Sequence, residues 1–253
     1  MKTFIQDICR EAAEITWQHF GDTEVLYTKE GVSDVVTKAD IASHQHCLAR
    51  IQKAFPDHVV VSEESENASV EAEHVWIIDP LDGSRNFSTS TPLFGTMVAY
   101  VRAGEVLLSA IYLPFSRELY FAEKGAGAFL NGKRISCAQK TAWNESYGVG
   151  CVNFESRHQV WNDLATRMIA HRPFWMGLIG SVAVEAAWVA SGRRDWWVTP
   201  AGSVWDTSAP ALLLSEAGCT VTDMAGKPWA FGAKGIVAAN KTLHDEIIRL
   251  IQE

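Results

Sequence analysis

An apolar run, Val75-Trp76-Ile77-Ile78, ends in Asp79-Pro80-Leu81-Asp82-Gly83-Ser84-Arg85-Asn86-Phe87, a junction that leaves the backbone little choice. Proline fixes its own φ and biases the residue before it towards extended geometry, which puts Asp79 at the end of a strand. Gly83 lets the backbone approach a ligand closely, and Ser84 and Arg85 can open a helix whose first N–H groups face outward. Strand, turn and helix together place two hard oxygen ligands beside free backbone donors. That arrangement suits divalent cations bridging to a phosphate. An ordinary turn after a buried strand would use the same residue types, so the rest of the chain has to decide between the two.

The remaining pattern is that of an α/β (α+β) protein without internal repeats. Helices are predicted over 3–20 and 38–54, the second opened by Thr37 and Asp40 as a capping box. Strands are predicted at 58–61 and 75–79, then at 94–102, 105–113, 117–122 and 127–130 as an antiparallel sheet, with Asn131-Gly132 as a hairpin turn. Further on come a strand at 146–152, helices at 157–170 and 181–191, and a strand at 195–198. A helix at 206–217 stopped by Gly218, strands at 219–222 and 235–239, and a helix from 242 complete the chain. A seam near 138–146 divides an N-terminal α+β half, 1–140, from a C-terminal α/β half, 141–253, within one compact unit.

The 253 residues are long enough for a sizeable core, and 47% hydrophobic with 21% charged is ordinary for a soluble globular protein. A formal charge of −8 argues against broad nucleic-acid binding, although cations can still bring an anionic phosphate to an acidic chain. Cys9, Cys47, Cys137, Cys151 and Cys219 are odd in number and form no CxxC pair, which fits reduced thiols and a cytoplasmic setting. The N-terminus reads as an amphipathic helix, not a signal peptide, and no run is long enough to span a membrane. The ten tryptophans read as packing residues.

Four carboxylates recur where strands or loops meet turns: Glu63 after Val59–Val61, Asp79 and Asp82 around the Pro-Leu turn, and Asp206 after Val204-Trp205. Each has a plainer role available, since Glu63 can be solvated surface, Asp206 a helix cap, and Asp40 the partner of its own capping box. An α/β fold can bring all of them to the mouth where strands end. Two unit charges about 4 Å apart then interact by roughly 4 kcal/mol at an effective dielectric of 20, so cations or protons must accompany the cluster. Oxygen-only ligands favour Mg²⁺, with Mn²⁺ the alternative, over zinc. His44 and His46 point to different helix faces and read as solvated surface.

Asp79-Pro-Leu-Asp82-Gly-Ser, Ser62-Glu63-Glu64-Ser65 and Trp205-Asp206-Thr-Ser-Ala-Pro, with Glu216-Ala-Gly218, resemble the inositol monophosphatase family. Lys29 with Asp34, Val36-Thr37-Lys38-Ala39-Asp40, Asn131-Gly132, Gly180-Ser181 and Gly192-Arg-Arg-Asp195 extend the resemblance in order along the chain. The resemblance implies the layered α-β-α-β-α sandwich shared with fructose-1,6-bisphosphatase, usually as a homodimer. It also implies a Mg²⁺-dependent, lithium-sensitive phosphomonoesterase for small phosphorylated metabolites, with direct in-line attack by activated water. By position, Glu63, Asp79, Asp82, Asp206 and the carbonyl of Leu81 would hold the metal. Ser84 would work with Asp40 to orient the water, and the N–H groups of Gly83 and Ser84 would hold the phosphate.

Departures bear on the substrate. An acid that bonds ring hydroxyls in inositol phosphatases is replaced by Thr199, which loses a charge-assisted bond worth roughly 1.5–3 kcal/mol. Asp82-Gly-Ser-Arg85 and Phe94-Gly-Thr96 look somewhat like the histidinol-phosphatase branch of the same superfamily, whereas Gly180-Ser181 looks more like the inositol branch. Fructose-1,6-bisphosphatase and 3′-phosphoadenosine phosphatase activities, and a non-catalytic regulatory member, stay as alternatives.

Overall fold

The computed structural model describes residues 1–21, 25–28, 35–65, 70–150, 165–168, 170 and 175–253. Lys29, Asp34, Cys151, Trp161 and most of the helix expected at 157–170 lie outside the described residues.

The larger sheet has seven strands in the order β3-β4-β5-β6-β7-β8-β9. These are β3 (Val59–Ser62), β4 (His74–Asp82), β5 (Gly95–Arg102), β6 (Glu105–Leu113), β7 (Glu118–Glu123), β8 (Gly127–Leu130) and β9 (Lys133–Ile135). From β4 to β9 neighbours run antiparallel, as sequence neighbours joined by short turns do; β3 alone pairs parallel, with β4. The second sheet has five strands in the order β11-β10-β12-β14-β13. They are β10 (Tyr147–Gly150), β11 (Trp175–Gly177), β12 (Trp196–Thr199), β13 (Thr220–Thr222) and β14 (Ile236–Ala239). Two strands outside the sequence expectations, β1 (Val25–Thr28) and β2 (Val35–Thr37), pair as a separate ribbon, and β11 was also not expected.

Alternation along β4 and β12 sets the layers, because successive strand side chains take opposite faces. Trp76 and Ile78 face α1 (Lys2–Gln18) and α2 (Lys38–Ala54), packing with Ile5, Ile8, Cys47 and Ile51. Val75 and Ile77 face the opposite way, into a core shared with α4 (Val182–Ala190), α5 (Val204–Glu216) and Trp197. Trp196 and Val198, on the other face of the second sheet, pack against Leu243, Ile247 and Leu250 of α6 (Lys241–Gln252). The order is helix, sheet, helix, sheet, helix. The same alternation explains why α4 is buried on nearly every side, Glu185 included, since it is enclosed between two sheets.

Cys9, Cys47, Cys137 and Cys219 are buried free thiols. His44 and His46 correct the expectation of solvated surface. Both are half-buried, with His44 Nδ1 3.0 Å from Ser62 Oγ and His46 Nε2 2.8 Å from Glu11, tying α2 to β3 and α1. No helix among the described residues is long and apolar enough to cross a membrane.

Candidate active site

The strand was expected to stop at Asp79, yet β4 continues through Pro80 and Leu81 to Asp82. Its pairing with β5 shifts register there: Asp79 faces Met97 and Asp82 faces Gly95, so β4 carries one extra residue. Such a bulge re-aims side chains, and here it absorbs the proline, whose missing N–H would otherwise break a ladder bond. The Pro80 carbonyl is held by the hydroxyls of Ser43 (3.0 Å) and Thr96 (2.9 Å), and the Leu81 N–H donates to Asp79 Oδ1 at 3.1 Å.

Gly83 follows in the left-handed region at φ 86 and opens the short helix α3 (Ser84–Ser88). A Cβ at Gly83 would lie 3.0 Å from the Leu93 carbonyl and 3.1 Å from Ser181 Cβ, so both conformation and space demand glycine. Gly83 and Ser84 are half-buried at the rim.

Carboxylate oxygens of Asp79, Asp82 and Asp206 lie within 4.8 Å of one another. Glu63, half-buried, donates its N–H to the Ile78 carbonyl at 3.2 Å, which seats it beside β4. Asp79 is pushed well above the usual carboxylate range, first by burial and then by the charges of Glu63, Asp82, Asp206 and Asp40. The fields of all four other acids therefore meet at Asp79.

Three of these acids also satisfy a helix N-terminus. Asp40 Oδ2 accepts from the Thr37 N–H (2.7 Å) and hydroxyl (2.6 Å), completing the capping box of α2. Asp206 Oδ2 accepts from the Ser203 N–H at 2.6 Å in the capping box of α5. Asp82 reaches α4 from outside: it accepts from the Ser181 hydroxyl, from the Val182 N–H at 3.0 Å and from the Ala183 N–H at 2.8 Å. Structural and site roles thus coincide, and the positive ends of three helices point at one place. Burial pushes Asp82 up to about 6, opposed by its bonds from Ser181, Ala183 and Val182. Burial likewise pushes Asp40 up to about 6, opposed by the bonds from Thr37. A cluster whose ionised form is this disfavoured is suited to a hard divalent cation, and its donor set is entirely oxygen.

Thr199 takes a backbone partner. It is buried at the end of β12, and its hydroxyl donates to the Ala201 carbonyl at 2.7 Å. Sequence reasoning gave no role to Ser43, Thr96, Asn86 or Glu185, which hold the backbone around the acids. Ser181 was visible only as part of Gly180-Ser181.

The sequence model described as the Inositol monophosphatase family matches residues 1–253. The fructose-1,6-bisphosphatase/inositol-1-monophosphatase of Thermotoga maritima is 33% identical over 248 residues, covering 97% of this chain and 93% of that protein. The Nus factor SuhB of Pseudomonas aeruginosa is 30% identical over 253 residues, covering 96% of this chain and 92% of its own. The solved structure of a Thermotoga maritima IMPase superposes with a TM-score of 0.88 at 31% identity, covering 99% of this chain and 96% of that one. With a matching sequence along its whole length, and layers that superpose on a solved member, the chain belongs to the inositol monophosphatase family of phosphatases.

Proposed function

We propose that the protein is a Mg²⁺-dependent phosphomonoesterase that hydrolyses a small soluble polyol or sugar monophosphate, working as a cytoplasmic homodimer. The observation that carries this reading is the convergence of the Asp79, Asp82 and Asp206 carboxylates within 4.8 Å, on elements far apart in sequence. A set of mutually repelling acids is costly to a pure binding module, whereas a cation-dependent hydrolase needs it.

Glu63, Asp79, Asp82, Asp206 and the Leu81 carbonyl would hold Mg²⁺, or Mn²⁺ in its place. When bound, such ions make water a better nucleophile and offset charge on the phosphoryl oxygens as the ester bond breaks. The protein supplies the alignment. Gly83 and Ser84 would present backbone N–H groups to the phosphate at the start of α3. The Ser84 hydroxyl and the Asp40 carboxylate would orient the attacking water. Asp40, pushed up to about 6, is mostly ionised at neutral pH and so accepts the water's hydrogen bond. Glu63 would take part both as a metal ligand and as a catalytic residue. Ser84 lacks a nearby sequence partner of Ser–His type that would make it a nucleophile, so direct attack without a phosphoenzyme is the simplest route.

Thr199 gives the substrate reading its lean away from a strict inositol phosphatase. Its hydroxyl proton is spent on Ala201, leaving only lone pairs to meet a ring hydroxyl. Phosphate release with Mg²⁺ should be measured on inositol 1-phosphate, histidinol phosphate, fructose 1,6-bisphosphate, glycerol 2-phosphate and 3′-phosphoadenosine 5′-phosphate. Hydrolysis of at least one polyol or sugar phosphate, abolished by chelation, is the expected result. No release from any of the five would overturn the reading.

A further inference from the structure

Glu185 is a carboxylic acid with 0% exposure in the middle of α4, and it is neither a ligand nor a catalytic group in the reading above. An enclosed acid costs more than an apolar side chain of its size unless its oxygens are partnered. Its partners lie on one turn and one strand. Oε1 accepts from the Ile179 N–H at 3.1 Å, and Oε2 accepts from the Trp197 indole N–H at 2.9 Å. The same turn is gripped from its other side by Asn86 of α3, whose Nδ2 donates to the carbonyls of Ile179 at 2.9 Å and Leu93 at 2.8 Å. Ser181 comes next. Its oxygen accepts from the Val184 N–H at 3.3 Å while its hydroxyl donates to Asp82 Oδ2. A continuous run of bonds therefore leads from Glu185 through the turn to Asp82.

We propose that Glu185 is a positioning residue: it fixes the 179–181 turn from inside the core, so that Ser181 and the first N–H groups of α4 hold both Asp82 oxygens in one orientation for the cation. The proposal rests on the metal-dependent reading above. Partners one step removed from a metal ligand, as Ser181 is from Asp82, typically change affinity by about 10–100-fold when lost, and Glu185, a step behind Ser181, is expected at the lower end of that range.

The test is calorimetric titration of Mg²⁺ into wild type, Glu185→Ala and Glu185→Gln, with turnover of glycerol 2-phosphate measured alongside. Glu185→Ala should weaken Mg²⁺ binding by about tenfold or more, with turnover largely recovered at saturating Mg²⁺. Glu185→Gln keeps the shape but turns an NH₂ towards one donor, and should weaken binding about threefold or more. Amide exchange at Ala183 should quicken in both. A folded Glu185→Ala protein that binds Mg²⁺ with the wild-type constant overturns the proposal. If that variant does not fold, an unchanged constant in Glu185→Gln overturns it equally. Wild type that binds no Mg²⁺ overturns the metal-dependent reading itself, and is thereby told apart from a failure of Glu185 alone.

Discussion

Asp82 has all its lone pairs directed: two backbone N–H groups and one hydroxyl on the helix side, and the cluster on the other. Asparagine in its place keeps one oxygen for α4 and brings an NH₂ to face the remaining donors. Asp82→Asn is expected to lower turnover by at least about a hundredfold while the chain still folds, checked by phosphate release and a thermal melt. Near-normal turnover at moderate Mg²⁺ would remove Asp82 from the site. Gly83→Ala puts a Cβ 3.0 Å from a backbone oxygen at φ 86, a conformation costing an L-residue roughly 1–2 kcal/mol before the contact is counted. Its melting temperature should fall, and a variant as stable as wild type would mean that the turn relaxes freely. Asp79, Asp82 and Gly83 were legible in the sequence because proline and glycine punctuate them. Glu185 was not, because one acid in Val-Ala-Val-Glu-Ala-Ala-Trp gives no sign of what donors the fold will bring to it. The Ala201 partner of Thr199 was equally hidden, since closure of a local turn decides it.

Helices with strong signals were found almost to the residue: the Thr37 and Asp40 capping box, for instance, starts α2 at Lys38. The ribbon β1–β2 and the edge strand β11 were missed for a physical reason. Val25, Leu26, Tyr27 and Trp175 are exposed, so no inward–outward alternation marks them. At β4 the proline predicted an end, and the bulge let the strand carry on. Capping makes a further prediction at this level. Thr37→Ala removes the side-chain bond that lowers the Asp40 pKa, and also an N-cap worth about 1 kcal/mol. The Asp40 pKa should rise above its present value of about 6. The acid limb of the pH–rate profile should therefore move to higher pH, with a modest loss of stability. An unmoved limb would mean that Asp40 does not govern it.

Over the whole molecule, proton binding and cation binding oppose each other. Asp40 and Asp82 are pushed to about 6 and Glu185 to about 8, each mainly by burial. Folded pKa values above the unfolded ones give stability that is present in acid and lost as pH rises through about 6 and about 8. In chelator, the melting temperature should therefore fall as pH rises from about 4, where the unfolded carboxylates ionise, to about 8. On the proposed reading Mg²⁺ has to displace the protons of Asp40 and Asp82, so the rise in melting temperature that it causes should be larger at about pH 8 than at about pH 6. Scanning calorimetry with and without Mg²⁺ checks both trends, and a cation effect that shrinks with pH would contradict the cluster. The acids that meet at Asp79 come from positions 40, 63, 82 and 206: Asp40 on α2, Glu63 in the turn after β3, Asp82 on β4 itself and Asp206 on α5. No nascent fragment short of residue 206 can assemble that set, and a slip of β4 by one residue would turn Asp79 to the opposite face. On the proposed reading, capture of the cation would work as an inspection of the fold: only a chain with β4 in register and the helices carrying Asp40 and Asp206 docked against it offers the ion the full set.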